Sequence, residues 1–132
     1  MKIKNKEWKT IWIDEKSQTV NVIDQTKLPH SFVVKNLRNK DEVASAISTM
    51  VVRGAPLIGV TGAFGMYLAV KEDPSDKSVE EAYDLLIATR PTAVNLRWAL
   101  LRMKKKLLDI PNFQRSNEAL KEAITISNED EL

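Results

Sequence analysis

Cysteine is absent from the 132-residue sequence, which excludes disulfides, thiolate nucleophiles and thiolate metal sites. Histidine is nearly absent: His30 stands alone after Pro29. It reads as a surface residue, and without a His or Cys cluster no transition-metal site is expected. A strong charge of either sign is lacking too. Twenty basic and 18 acidic side chains leave a formal charge of +2, with the signs well mixed, so charge predicts neither nucleic acid nor a membrane surface as partner. The one dense basic patch, RWALLRMKKK from Arg97 to Lys106, reads as a solvated helix face. Long hydrophobic runs are missing. The stretch from Pro56 to Val70 falls short of the roughly 18–20 residues of a bilayer span, and the basic MKIKNKEWKT start has no apolar segment behind it to make a secretory signal. A cytoplasmic protein is expected. Paired carboxylates for acid–base work are also hard to find, because Asp14, Asp24 and Asp41 lie near turns or helix starts, where capping is the usual role.

What is present is ordinary globular composition, 43% hydrophobic and 29% charged, in a length that suits one domain or part of a larger one. Residues 1–40 read as a β-rich segment. TIWID and TVNVID are short, β-branched and separated by the polar EKSQ, which predicts a hairpin; SFVVKNL predicts a third strand. Residues 41–132 read as a helical bundle, giving an α+β fold in which the two segments together make one domain. Asn39 or Asp41 can cap a helix carrying Val43, Ala46, Ile47, Met50 and Val51 at three-four spacing, with Gly54 placed to stop it and Pro56 to start the next. Ser78 and Glu81 predict a capping box for a third helix, which Arg90-Pro91 must end. Thr92 is then the expected cap of a helix over 93–108. That helix carries two opposed apolar stripes: Leu96, Leu100, Met103 and Leu107, against Val94, Trp98, Leu101 and Leu108. A helix on the rim of a bundle needs one. The second predicts contact with a partner or an unusually thick bundle. Trp8, Trp12 and Trp98 are expected to anchor the core or its edge, and SNEALKEAITISNEDEL to begin a last helix.

The residues that could carry chemistry are few. Gly59, Gly62 and Gly65 lie inside a helical pattern and not directly after a strand. They form neither a dinucleotide loop nor a phosphate loop, and close helix packing is the simplest reading. The arginines are better candidates. Arg53 precedes Gly54-Ala55-Pro56 and Arg90 precedes Pro91-Thr92, so each stands where one helix has ended and another begins. Free amides and the positive helix end favour an anion there, and a guanidinium adds two directed hydrogen bonds. Two such elements could clamp one phosphate. Equally, both arginines could pair with acids or cap carbonyls. Asn95 could be a cap partner or a polar ligand contact.

TIWIDEKSQTVNVIDQTKLP, VRGAPLIGVTGAFGMYLA and TRPTAVNLRWALLRM occur in this order, and with them the chain resembles the N-terminal part of the methylthioribose-1-phosphate isomerase family. The wider family includes ribose-1,5-bisphosphate isomerases and the regulatory subunits of translation initiation factor 2B. IDQTKLP, from Ile23 to Pro29, favours the methylthioribose branch. The resemblance implies aldose–ketose isomerisation of a sugar phosphate in methionine salvage, without metal or organic cofactor. By motif, it implies that Arg53, Gly54 and Ala55 bind substrate and that Arg90 helps to hold the phosphate. Relatives continue into a larger Rossmann-like α/β domain that brings a catalytic cysteine and aspartate. Neither motif is found here, so no catalytic residue is assigned, and the expectation is a substrate-binding N-terminal domain that is inactive alone. A homodimer, a missing C-terminal domain or a partner chain is expected to cover the second stripe. The alternatives are a non-catalytic association protein like the initiation-factor subunits, or one half of a split isomerase.

Overall fold

Short β-branched runs pair locally, and the hairpin expected near the start forms. In the computed structural model, which describes residues 11–14 and 18–131 and two short strands before them, β1 (Lys2–Ile3) pairs with β2 (Lys6–Glu7). β3 (Ile11–Asp14) runs antiparallel to β4 (Thr19–Ile23), with Ile11 opposite Val22 and Asp14 opposite Thr19. β5 (Val34–Leu37) adds to the free edge of β4, so the order is β3-β4-β5. β4 is central and buried along its whole length. Most of the EKSQ turn and Trp8 lie outside the described residues. Asp24 caps a 3-10 turn over Gln25–Lys27, accepting the Thr26 amide at 2.9 Å, the role expected of a carboxylate beside a turn.

Five helices follow. α1 (Lys40–Ser48) is capped by Asn39, whose side chain accepts the Glu42 amide, and buries Val43, Ala46 and Ile47. It ends at Ser48 and not at Gly54. Thr49 donates its amide and hydroxyl to the Ser45 carbonyl, and exposed Met50 takes the left-handed conformation at φ +65° that glycine was expected to supply. Gly54, at φ +95°, is the N-cap of α2 (Ala55–Glu72), with Pro56 in the first turn as anticipated. The linker 49–54 is pinned from both sides: Val52 N–H donates to Ala46 O, and Val51 O accepts from Gln25 N.

α2 is buried without a break from Ile58 to Val70 and is surrounded by the other four helices. α3 (Asp76–Thr89) starts earlier than expected. Ser75 is its cap, accepting the Ser78 amide, while Ser78 is inside the helix and reaches back to Ala69 O. Two serines three apart compete for the cap, and the one that follows Pro74 wins. α3 stops before Pro91, and α4 (Val94–Leu108) starts from Ala93 without a side-chain cap, so Thr92 does not perform that role. α5 (Asn112–Glu131) lays Ala119, Ala123 and Ile126 against the core. On α4 the stripe from Leu96 to Leu107 is buried, whereas Val94 is 77% and Trp98 52% exposed and Leu101 and Leu108 are also open. Trp98 is therefore no core anchor; Trp12, on edge strand β3, is half-buried.

Candidate functional site

The glycines of α2 decide where its neighbours can lie. A Cβ on Gly59 would stand 2.9 Å from the Asn95 carbonyl oxygen, one on Gly62 would meet the ends of Leu96 and Leu100, and one on Gly65 would meet Val43 and Leu86. All three are packing glycines. Because Gly59 meets Asn95 while Gly62 meets Leu96 and Leu100, α2 and α4 run in the same direction with their N-terminal ends together. Both ends lack a side-chain cap. Two sets of free amides and two positive helix ends are thus neighbours.

An arginine leads into each of these ends. Arg53 is exposed, and among the described residues it has no hydrogen bond or ion pair. Gly54 follows with nothing within 4 Å of where a Cβ would be, so glycine is needed there for its backbone conformation alone. Ala55 is exposed in the first turn of α2. Arg90 is half-buried, and its Nη2 donates to Ile47 O at 3.4 Å, in the last turn of α1. Arg90 therefore braces the last turn of α1, just before the linker that carries Arg53, and it does cap a carbonyl, one of the two bland roles open to it. Arg97 braces the turn before α4 by donating to Pro91 O at 2.8 Å. Asn95 caps no helix.

Beside this junction is a cavity of about 210 Å³ lined by Pro56, Gly59 and Val60 of α2, Asn95 and Trp98 of α4 and Glu129 near the end of α5. Glu129 is held by both terminal nitrogens of Arg102, at 2.8 and 2.9 Å; Arg102 Nε also binds Glu122 at 2.6 Å, and its guanidinium stands over the Trp98 ring. The dense basic patch is thus only partly solvated, with Arg97, Arg102 and Lys104 all engaged. Arg102 keeps the Glu129 carboxyl below its ordinary value of 4.5. A carboxylate whose folded value is depressed contributes stability above the unfolded value and loses it as pH falls. Acidification from about pH 4.5 down through that lowered value is therefore expected to loosen the end of α5 from Arg102, and with it the guanidinium over Trp98. Trp98 fluorescence should report the step, and Glu129→Gln should remove it; a step unchanged in that variant would assign it elsewhere.

Sequence reasoning missed Arg115. It is 3% exposed and joins Leu107 O, Pro74 O and the Asp76 carboxylate. Nothing in its local sequence marks it, because each partner is brought by the fold. Among the described residues no group of three His, Cys, Asp or Glu could hold a metal ion, and no helix is long and apolar enough to cross a membrane.

The description "Initiation factor 2 subunit family" matches residues 51–132. The methylthioribose-1-phosphate isomerase of Rhodospirillum centenum is 50% identical over 130 residues, covering 98% of this chain and 35% of that protein. The enzyme of the same name from Methylorubrum extorquens is 52% identical, over 98% of this chain and 36% of its own length. Among solved structures, subunit delta of translation initiation factor eIF-2B from A. fulgidus is similar with a TM-score of 0.86 at 35% identity, over 93% of this chain and 37% of that one. 5-Methylthioribose 1-phosphate isomerase from Pyrococcus horikoshii gives 0.82 at 37% identity, over 91% and 36%. The chain spans a little over one third of the length of these relatives.

Proposed function

We propose, since the chain belongs to the initiation factor 2 subunit family, that it is the substrate-holding N-terminal part of an S-methyl-5-thioribose-1-phosphate isomerase. The observation that carries this reading is the packing of Gly59, one turn into α2, on Asn95 at the start of α4, two helices that both begin without a side-chain cap and are each led into by an arginine. Arg53 and the open amides of Gly54 and Ala55 hold the phosphate from one side. Arg90, braced on α1, holds it from the other. The arrangement supplies positive charge without a metal, and anions favour such helix ends. Relatives about 50% identical over almost the whole chain carry the isomerase name, which supports the methylthioribose branch.

The part these residues play in the isomerisation is to bind and orient the sugar. Moving a hydrogen between C1 and C2 needs an acid for ring opening and a pocket closed to water. The chain has no cysteine, and its helix junction is open to solvent. The expected result is binding of 5-methylthioribose 1-phosphate without conversion. Calorimetry and a product assay test both halves, and turnover abolished by Arg53→Ala would contradict the second.

The exposed stripe Val94, Trp98, Leu101 and Leu108 supports a partner-covered face, and with it the association reading of the initiation-factor subunits. We assign this face to a second copy or to the further domain of longer relatives. Sedimentation is expected to show concentration-dependent self-association that Leu101→Glu reverses. A strictly monomeric chain would leave the longer relatives' domain as the only cover.

A further inference from the structure

One edge of the small sheet lies open beside a helix. Among the described residues no strand lies beyond β5, and Val34, Lys35 and Asn36 are exposed. The ladder fixes which backbone groups point outward. Asp24 N–H donates to the carbonyl of Val33, the residue opposite it in the β4–β5 register, so Val22–Lys35 and Val20–Leu37 are the next bonded pairs. The N–H and C=O of Val34 and Asn36 therefore face away from β4. They open on a groove of about 290 Å³ lined by four consecutive residues, Lys35 to Arg38, and by Glu42, Ser45, Ala46 and Thr49 of α1. Side chains alternate across a strand, so four in a row line a cavity only along the backbone edge. The four α1 positions belong to one helix face. From Glu42 to Thr49 that face is about 10 Å long, the length of about three residues of extended chain.

We propose that this groove docks an extended, carboxylate-bearing segment of a partner protein, which adds to β5 as a fourth strand of the sheet. The inference is independent of the phosphate reading. An open edge offers main-chain hydrogen bonds to any extended chain, and charge decides which chain is taken. Lys35 has no ion pair among the described residues. Glu42, the acid in the lining, is already engaged: it accepts the Arg38 amide at 2.8 Å and faces the Arg38 guanidinium at 3.9 Å. The rim is left positive. A second copy of the chain is disfavoured for that reason. Whichever of Val34 and Asn36 pair across two antiparallel edges, Lys35 falls opposite or diagonal to its counterpart, and like charges there are destabilising. A strand with acids at alternate positions places a carboxylate on Lys35 in the same geometry. Ser45, Ala46 and Thr49 on the helix wall are small, so the incoming backbone can approach.

The test uses the full 132-residue chain and two hexapeptides blocked at both ends, one alternating glutamate with valine and the other lysine with valine. The glutamate peptide is expected to bind about fivefold more tightly, the effect of one cross-strand charge pair, and to shift the amide resonances of Val34, Asn36 and Ser45. Lys35→Glu should reverse the preference. Asn36→Pro removes an outward N–H and leaves the ladder to β4 intact, the edge position at which a strand tolerates proline; it should weaken binding about tenfold. If that variant does not fold, a glutamate peptide methylated at every backbone nitrogen makes the same comparison on the intact chain and should not bind. Equal affinity for the two unmethylated peptides, or full binding of the methylated one, overturns the proposal. Val34 and Asn36 shifts that follow protein concentration without peptide, in Leu101→Glu, also overturn it and give the groove to a second copy.

Discussion

Arg115→Ala is expected to lower the stability of the chain by about 3–5 kcal/mol, the largest effect of any single substitution considered. Arg115 Nε donates to Leu107 O at 2.7 Å and to Ile110 O at 3.3 Å, Nη1 donates to Pro74 O at 2.7 Å, and Nη2 binds Asp76 at 2.7 Å. One buried guanidinium thus ties the end of α4, the α2–α3 loop and the start of α3 to α5. Alanine strands carbonyls that water reaches poorly, at about 1–3 kcal/mol each, and leaves the space of the stem empty. Asp76→Ala separates the contributions. Its carboxylate is 75% exposed, so the ion pair is worth about 1 kcal/mol or less. Urea unfolding of both variants measures the difference. A loss near 1 kcal/mol for Arg115→Ala would mean that helix packing alone fixes this corner.

Gly59→Ala is expected to destabilise the chain by about 1–2 kcal/mol and to weaken phosphate binding with it. Two effects oppose each other. Alanine inside a helix is favoured over glycine by about 1 kcal/mol, but the new methyl would lie 2.9 Å from the Asn95 carbonyl oxygen and 3.3 Å from its carbon. Overpacking costs about 1–3 kcal/mol. Here the obstacle is backbone and cannot rotate away, so the clash wins and the start of α4 must move. Gly62→Ala is the control: its methyl meets the ends of the Leu96 and Leu100 side chains, so stability falls while the junction stays in place. Retained binding in Gly59→Ala would show that the two helix starts act independently. Stability curves and a phosphate titration of both variants decide.

The particular residues show what a single sequence can disclose. The β3–β4 hairpin, the start of α2 at Pro56, the stop of α3 at Pro91 and the packing role of the α2 glycines all follow from local chemistry: pairing of β-branched runs, proline sterics and the missing Cβ. The second apolar stripe of α4 was legible as periodicity, and the structure leaves it exposed. Helix ends were not legible. Met50 turns the chain four residues before the obvious glycine, because an exposed residue beside well-paired carbonyls tolerates the left-handed conformation. Ser75 and Ser78 are chemically equal caps, and only the packing of α3 on the end of α2 separates them. Among the candidate site residues, Arg53 and Arg90 were picked out by their place at helix junctions, whereas Gly54 and Ala55 came only from the motif of the family that the chain resembles. What spacing could not disclose was the parallel packing of α2 on α4, which brings the junctions together, or the hold of Arg90 on Ile47 O. Arg115 was invisible for the same reason: its partners Pro74 and Leu107 are supplied by other elements.

The most direct measurement of the central claim is a calorimetric titration of the chain with 5-methylthioribose 1-phosphate, repeated on Arg53→Ala and on Arg90→Ala. Charge-assisted hydrogen bonds of about 1.5–3 kcal/mol each predict a loss of tenfold or more in either variant. Arg90→Ala should in addition lose a little stability, because the Ile47 carbonyl goes unpaired. Equal affinity in all three chains would contradict the claim that these two arginines hold the phosphate.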